Sequence, residues 1–264
     1  MSEWKRWYIQ WDRGFSAGMV LLGLAAVTAA GFEWPLGFAT KALLSLLTVL
    51  WSVAGLARLY LSVPSHTTAD RVTMLRLGFG SAAVMLIVAA ELAMRVDAAF
   101  PGYRALLTGL LIVAVMSDFF DGRVARSTEA SRFGAEWDMQ NDSAFAMLLS
   151  VTALAYVEVH AWVILIGLAR YLFVLGVPGA HEDIATPRAY EMFGKTVCAV
   201  AVLTLAGVVA DGASGAAAQI ALGVALGAIL GSFAWFTFLI RRERVAAGYT
   251  SARAHGPKRV QTLE

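Results

Sequence analysis

Aspartates recur at helical spacing in the middle of this chain. Asp118 and Asp121 stand three positions apart, and Asp138 and Asp142 stand four positions apart. Since positions i, i+3 and i+4 of an α-helix share a face, each pair offers two carboxylates on one side of a helix. Carboxylate oxygens, together with substrate phosphate, are ligands that Mg²⁺ prefers. The spacing therefore indicates a divalent metal site that holds a phosphate or pyrophosphate group.

Small residues and an arginine accompany the acids. Gly122 and Ala125 continue the face of the first pair, and Gly134 lies one turn before the second. Small side chains allow a wide ligand to approach a helix backbone, and the forked guanidinium of Arg126 suits phosphate. Two ions about 3.5–4 Å apart can clamp the attacking and leaving oxygens of a displacement. The alternative is that the aspartates form salt bridges with nearby arginines. That would explain the presence of the aspartates, but not the small residues on both helix faces.

The composition is that of a polytopic membrane protein. The chain has 264 residues, of which 59% are hydrophobic and 15% charged, and its mean hydropathy is +0.66. Soluble domains carry about 25% charged residues, and about 20 apolar residues span a bilayer. Eight stretches meet or nearly meet that length: 14–32, 36–62, 73–95, 104–121, 139–158, 161–178, 195–210 and 217–240.

Charge distribution predicts the orientation of the chain. With eight spans both termini lie on one side, and most lysines and arginines fall on that side together with the two aspartate pairs. Basic loops stay in the cytoplasm, so we expect a multi-pass protein of the inner (cytoplasmic) membrane whose site faces the cytoplasm. The single cysteine, Cys198, excludes an intrachain disulfide. Membrane lipids are expected partners and nucleic acid is not.

A polar break at residues 63–71 and a basic C-terminal stretch divide the chain. Residues 1–69 are interpreted as an N-terminal two-helix membrane extension, residues 70–241 as a six-helix catalytic core, and residues 242–264 as a basic cytoplasmic tail. Each basic residue of such a tail gains about 1 kcal/mol near anionic headgroups.

The acidic segment resembles the signature of the CDP-alcohol phosphotransferases (CDP-alcohol phosphatidyltransferases), D-x2-D-G-x2-A-R-x8-G-x3-D-x3-D. Every fixed position matches: Asp118, Asp121, Gly122, Ala125, Arg126, Gly134, Asp138 and Asp142. The spacer before Gly134 has seven residues rather than eight, a change in the connection between two helices. Upstream, Asp70, Thr73 and Arg76 resemble the family's N-x2-T-x2-R, with aspartate in place of asparagine.

The resemblance implies an all-α, usually homodimeric membrane enzyme with a six-helix core, here preceded by two extra transmembrane helices. It implies transfer of a phosphatidyl group from CDP-diacylglycerol to a small hydroxyl acceptor, with release of CMP and with Mg²⁺ or Mn²⁺ as cofactor. By position, Asp118, Asp121, Asp138 and Asp142 would bind metal, and Asp142 would also act as general base. Gly122, Ala125 and Gly134 would admit the cytidine, and Arg126 would contact donor phosphate.

Three further basic residues are candidates for anion contacts. Arg170 lies within an apolar span, where insertion costs roughly 2.5–3.5 kcal/mol unless it faces a polar cavity; the alternative is snorkelling to the interface. With Lys195, it is similar to basic positions of bacterial phosphatidylglycerophosphate and phosphatidylinositol-phosphate synthases, which implies contact with an acceptor phosphate such as that of glycerol phosphate or inositol phosphate. Lys195 could equally anchor its helix at the interface. Arg76 could pair with the acidic site or contact phosphate.

Other classes of protein remain open at this stage. Intramembrane prenyltransferases also bind a pyrophosphate through paired acidic motifs and Mg²⁺, but they place those motifs far apart in sequence. A cation transporter would use membrane acids as an ion path, although acids clustered at one membrane face disfavour it. A degenerate family member with a structural role is disfavoured by the intact set of aspartates.

Overall fold

The computed structural model describes residues 3–31, 37–63, 68–95, 102–125, 132–157, 159–181 and 186–254, and in these ranges all regular structure is helical. A short 3₁₀ turn, Ala161–Val163, precedes the sixth helix. The all-α prediction is confirmed, with an α-helix near each of the stretches predicted from hydropathy. The α-helices are α1 (Glu3–Gly31), α2 (Gly37–Leu61), α3 (Thr68–Arg95), α4 (Tyr103–Ala125), α5 (Arg132–Tyr156), α6 (Ile164–Gly176), α7 (Arg188–Asp211) and α8 (Ala216–Ala254).

The chain is a polytopic membrane protein. Within the described residues five helices are long and apolar enough to cross a membrane, namely α1, α2, α3, α7 and α8. Shorter apolar segments, Tyr103–Met116 in α4 and Ala161–Gly176 around α6, accompany them. Leucines of α1 and α2 such as Leu21 and Leu43 are more than half exposed, as expected for side chains that face lipid tails.

Helix α5 lies at the centre of the bundle and contacts α1, α2, α3, α6 and α7. It contributes Phe145 and Leu149 to one buried apolar cluster, and Trp137 and Leu148 to another. Because protein rather than lipid surrounds it, α5 can also carry buried polar side chains: Gln140, Asn141, Ser150 and Thr152. This burial explains why α5 is less apolar than a lipid-facing span of the same length.

Two glycines allow neighbouring helices to approach α5 closely. A methyl group at Gly80 of α3 would lie 2.6 Å from the buried ring of Phe145. A methyl group at Gly167 of α6 would lie 2.7 Å from the Cα atom of Met147. Small residues at such crossings let helix backbones come together in membranes. The close approach of α3 to α5 brings Arg76, one turn before Gly80, to the aspartate face of α5.

Helix α1 packs against α5 and α6 through buried polar contacts. Asp12 of α1 accepts hydrogen bonds from both terminal nitrogens of Arg170 of α6, at 3.1 and 2.9 Å. Asp12 is fully buried and Arg170 is 7% exposed. One turn earlier, Tyr8 accepts a hydrogen bond of 3.0 Å from Gln140 of α5. Nδ1 of His181 lies 3.8 Å from Oδ2 of Asp12. Burial lowers the pKa of the His181 imidazole. Helix α1 is therefore packed into the bundle rather than attached beside it.

Replacement of Gly80 by alanine should destabilise the protein, whereas the same change at Gly78 should not. The new methyl group at Gly80 meets a fully buried ring, and overpacking of this kind costs about 1–3 kcal/mol. Gly78 is exposed with open space beside it, so alanine there gains up to about 1 kcal/mol of helix propensity. Thermal unfolding in detergent compares the variants. Equal melting temperatures for Gly80→Ala and Gly78→Ala would contradict the close approach.

Replacement of Asp12 by alanine should lower the free energy of unfolding by about 3–5 kcal/mol, because it leaves the Arg170 charge buried without its carboxylate. The double variant Asp12→Leu, Arg170→Met should recover much of that loss, since an apolar pair needs no compensation. Unfolding by detergent titration measures both, with exposed Glu243→Gln as the matched control for loss of an acid. A single variant as stable as the control would show that the ion pair does not stabilise α1 against α6.

Candidate active site

The two halves of the acidic motif lie on consecutive helices. Asp118, Asp121, Gly122 and Ala125 fall in the last turns of α4, and Gly134, Asp138 and Asp142 fall in the first turns of α5. This agrees with the helical spacing read from the sequence. The side chains of Asp118 and Asp121 lie outside the described set, as does the whole of Arg126.

Asp138 and Asp142 share one face of α5, one turn apart, and both are partly accessible. Their side chains are 45% and 25% exposed. Gly134, one turn further towards the start of α5, is half-buried. The α5 half of the motif thus forms a strip in which two carboxylates follow a glycine. Because the strip is accessible, a ligand can reach it.

Arg76 of α3 provides the positive charge opposite these carboxylates. Its side chain is only 3% exposed, its Nη1 atom forms an ion pair with Oδ1 of Asp142, and the same nitrogen lies 3.7 Å from Oδ1 of Asp138. Two carboxylates one turn apart repel each other, and a guanidinium between them reduces that repulsion. The sequence left two roles open for Arg76, an ion pair with the acidic site or contact with phosphate. In this structure Arg76 forms an ion pair with Asp142.

The second oxygen of Asp142 faces α7. Cys198 of α7 is half-buried, and its Sγ atom lies 3.9 Å from Oδ2 of Asp142. Oδ1 is thus the carboxylate oxygen nearest to Arg76 of α3, and Oδ2 lies beside Cys198 of α7. Lys195 lies one turn before Cys198 at the start of α7 and is exposed.

Oxygen donors of this kind suit a hard divalent cation, so the described carboxylates fit Mg²⁺ or Mn²⁺ by their chemistry. Among the residues that the structure describes, no group of three or more histidine, cysteine, aspartate or glutamate side chains could hold a metal ion. Asp138 and Asp142 make a pair, and the α4 aspartates that would complete a larger set have side chains outside that description.

Arg170 does not lie with these aspartates. It pairs with Asp12, whose neighbour Tyr8 bonds to Gln140. Gln140 is two residues from Asp138 and two from Asp142, so it points about 160° away from either of them around α5. Arg170 and Asp12 thus lie on the opposite side of α5, and both terminal nitrogens of this guanidinium already donate hydrogen bonds to Asp12.

The cluster around Asp12 is the feature that sequence reasoning missed. Tyr8, Asp12, Ser16 and Met19 recur at three- and four-residue intervals, and all are buried. That spacing indicates a buried helix face that carries an acid. An acid in such a position requires a cation from another helix. The sequence does not show which arginine supplies that charge.

Comparison with known proteins adds one finding. A family model described as CDP-alcohol phosphatidyltransferase matches residues 66–240, which covers α3 to α7, most of α8 and the whole acidic motif. Neither the curated proteins nor the solved structures contain a match to the chain. Members of this family are generally dependent on divalent metal ions. Asp12, which neutralises Arg170, lies outside the matched range. On the match to two thirds of its length, the chain belongs to the CDP-alcohol phosphatidyltransferase family.

Proposed function

We propose that this protein transfers a phosphatidyl group from CDP-diacylglycerol to a small hydroxyl acceptor and releases CMP. Membership of the family supports phosphatidyl transfer from a CDP-linked alcohol in lipid synthesis. The observation that carries the proposal is the accessible carboxylate pair of Asp138 and Asp142, set against a buried arginine inside a membrane bundle. Glycerol phosphate and inositol phosphate are our candidate acceptors, by resemblance to bacterial phosphatidylglycerophosphate and phosphatidylinositol-phosphate synthases.

The residues of the motif would divide the work of binding. Asp118, Asp121, Asp138 and Asp142 would hold Mg²⁺ or Mn²⁺, which when bound supplies positive charge to the pyrophosphate of the donor. Gly122, Ala125 and Gly134 would leave room for the cytidine, and Arg126 would donate hydrogen bonds to a donor phosphate. Lys195, exposed at the start of α7, would contact an acceptor phosphate; Arg170 would do so only after separation from Asp12.

The chemical step is a displacement at the phosphorus that bears diacylglycerol. The acceptor hydroxyl gives its proton to Asp142, and its oxygen forms a new bond to that phosphorus. The bond from phosphorus to the oxygen bridging to CMP breaks, and CMP leaves with the electron pair. A positioned base contributes typically about 10²–10⁴-fold to such a step.

The proposed setting is the inner (cytoplasmic) membrane, with the aspartates facing the cytoplasm, where nucleotide-linked donors are available. We further propose a homodimer in which residues 70–241 form the catalytic core, residues 1–69 the membrane extension and residues 242–264 a basic tail. The tail carries Arg253, Lys258 and Arg259, which suit anionic headgroups. A prenyltransferase or a cation transporter is less well supported, since the family match covers the whole contiguous motif.

Purified protein, incubated with CDP-diacylglycerol, Mn²⁺ or Mg²⁺ and a panel of alcohols with and without phosphate, should release CMP with at least one of them. Asp142→Asn should lower the rate by about 10²-fold or more, because the acceptor loses its base. Asp211→Asn, at an exposed position at the end of α7, is the matched control and should retain the wild-type rate.

Metal removal by a chelator should abolish the same activity, and added Mn²⁺ should restore it. Lack of CMP release with every alcohol, from folded protein with metal present, would overturn the proposed transfer. A wild-type rate for Asp142→Asn would leave the transfer standing but remove Asp142 as the base.

A further inference from the structure

A cavity lies between α1, α2 and α5, at the end of α5 that is remote from Asp138 and Asp142. We propose that this cavity binds an anionic phospholipid, with an acyl chain between the three helices and the phosphate beside Lys41 of α2. The inference concerns a second lipid site and does not depend on the proposed transfer.

The deep part of the cavity is apolar and buried. Ala26 of α1 is 6% exposed and Val151 of α5 is 2% exposed, and both line the cavity. Its volume is about 230 Å³, whereas protein interiors leave few voids larger than a water molecule. An apolar cavity of about 150 Å³ is already large enough to bind a benzene-sized molecule. The space between these helices therefore admits a segment of hydrocarbon chain.

The mouth of the cavity carries positive charge. Gly37, Thr40 and Lys41, all in the first turns of α2, line it there. Lys41 is exposed and forms no ion pair with any residue that the structure describes, and none of the described lining residues is acidic. The first N–H groups of a helix lack partners within it and add partial positive charge. A cationic mouth above an apolar interior matches the phosphate and the acyl chain of one lipid.

A ligand reaches this cavity from the bilayer. Leu24 of α1 and Leu43 of α2 are each more than half exposed, on the two helices that form the mouth. Exposed leucines on membrane helices face acyl chains, and a lysine at the interface attracts anionic headgroups. This setting favours a lipid over a soluble phosphate as the occupant.

The cavity is separate from the candidate active site. Ala155, which lines it, follows Asp138 by almost five helical turns of α5, a distance of about 26 Å. The hydrocarbon core of a bilayer is about 30 Å thick, so the cavity and the aspartates lie near opposite faces of the membrane. A lipid bound here is therefore not the donor held at the aspartates.

Photo-crosslinking locates the lipid. Wild-type protein in phosphatidylcholine nanodiscs receives a small fraction of phosphatidylglycerol that carries a diazirine at the end of one acyl chain. Cross-links mapped by mass spectrometry should fall within residues 26–30, 40–44 and 151–155, and excess unlabelled phosphatidylglycerol should suppress them. Absence of cross-links from all three segments, or equal labelling by the corresponding phosphatidylcholine probe, would overturn the proposal.

The contact with the phosphate is tested by removal of one charge. Lys41→Gln should lower cross-linking in the cavity about fivefold, as expected for loss of one lysine near an anionic headgroup. Arg58→Gln, at an exposed basic position in the last turn of the same helix, is the matched control and should leave the labelling unchanged. Equal labelling of the two variants would exclude Lys41 as the phosphate contact and contradict the proposal.

Thermal unfolding in neutral detergent gives a second readout. Phosphatidylglycerol should raise the melting temperature of the wild type by several degrees, because a ligand that binds only the folded state stabilises it. Ala29→Leu, which fills the cavity from α1, should abolish the shift, and Ala155→Leu should do the same from α5. Ala39→Leu, exposed on α2 outside the cavity, should retain it. Equal shifts in the filled variants and in Ala39→Leu would show that the lipid binds elsewhere.

Discussion

Charge pairing inside an apolar bundle is the constraint on which this structure depends. A buried arginine is strongly unfavourable without a carboxylate from another element, and the described part of the chain contains two such arginines. Arg170 pairs with Asp12 and joins α6 to α1. Arg76 pairs with Asp142 and orients a carboxylate of the motif. One ion pair joins α1 to α6, and the other joins α3 to a carboxylate of the proposed active site.

Helix α5 brings the two ion pairs into one structure. Its aspartate face meets α3 and α7, while its opposite face meets α1 through the bond between Gln140 and Tyr8. Gly80 and Gly167 let helices from both sides approach it closely. A helix enclosed in this way is contacted by neighbours on several sides, and catalysis benefits when reactive groups are held in a fixed geometry. Helix α1 therefore packs on the face of α5 opposite Asp138 and Asp142.

Much of the fold could be predicted from the sequence because hydropathy and helical spacing are local signals. The helices containing Asp118 and Asp138 follow from apolar runs and from residues three or four apart, and the family follows from the motif. The partner of Arg170 could not be predicted, since Asp12 is 158 residues away along the chain and nothing local connects them. The enclosed position of α5 could not be predicted for the same reason, because burial by other helices depends on the tertiary structure.

The most direct measurement is the affinity of purified protein for Mn²⁺, monitored through the electron paramagnetic resonance signal of free Mn²⁺. This experiment needs no substrate. If the aspartate strip of α5 belongs to a metal site, the wild-type protein binds Mn²⁺ and Asp138→Asn weakens binding at least tenfold, as expected for loss of a carboxylate ligand to a hard cation. Asp211→Asn, which removes an exposed acid far from the strip, leaves binding unchanged. Equal Mn²⁺ affinity for Asp138→Asn and the wild type would contradict a metal site on this face of α5.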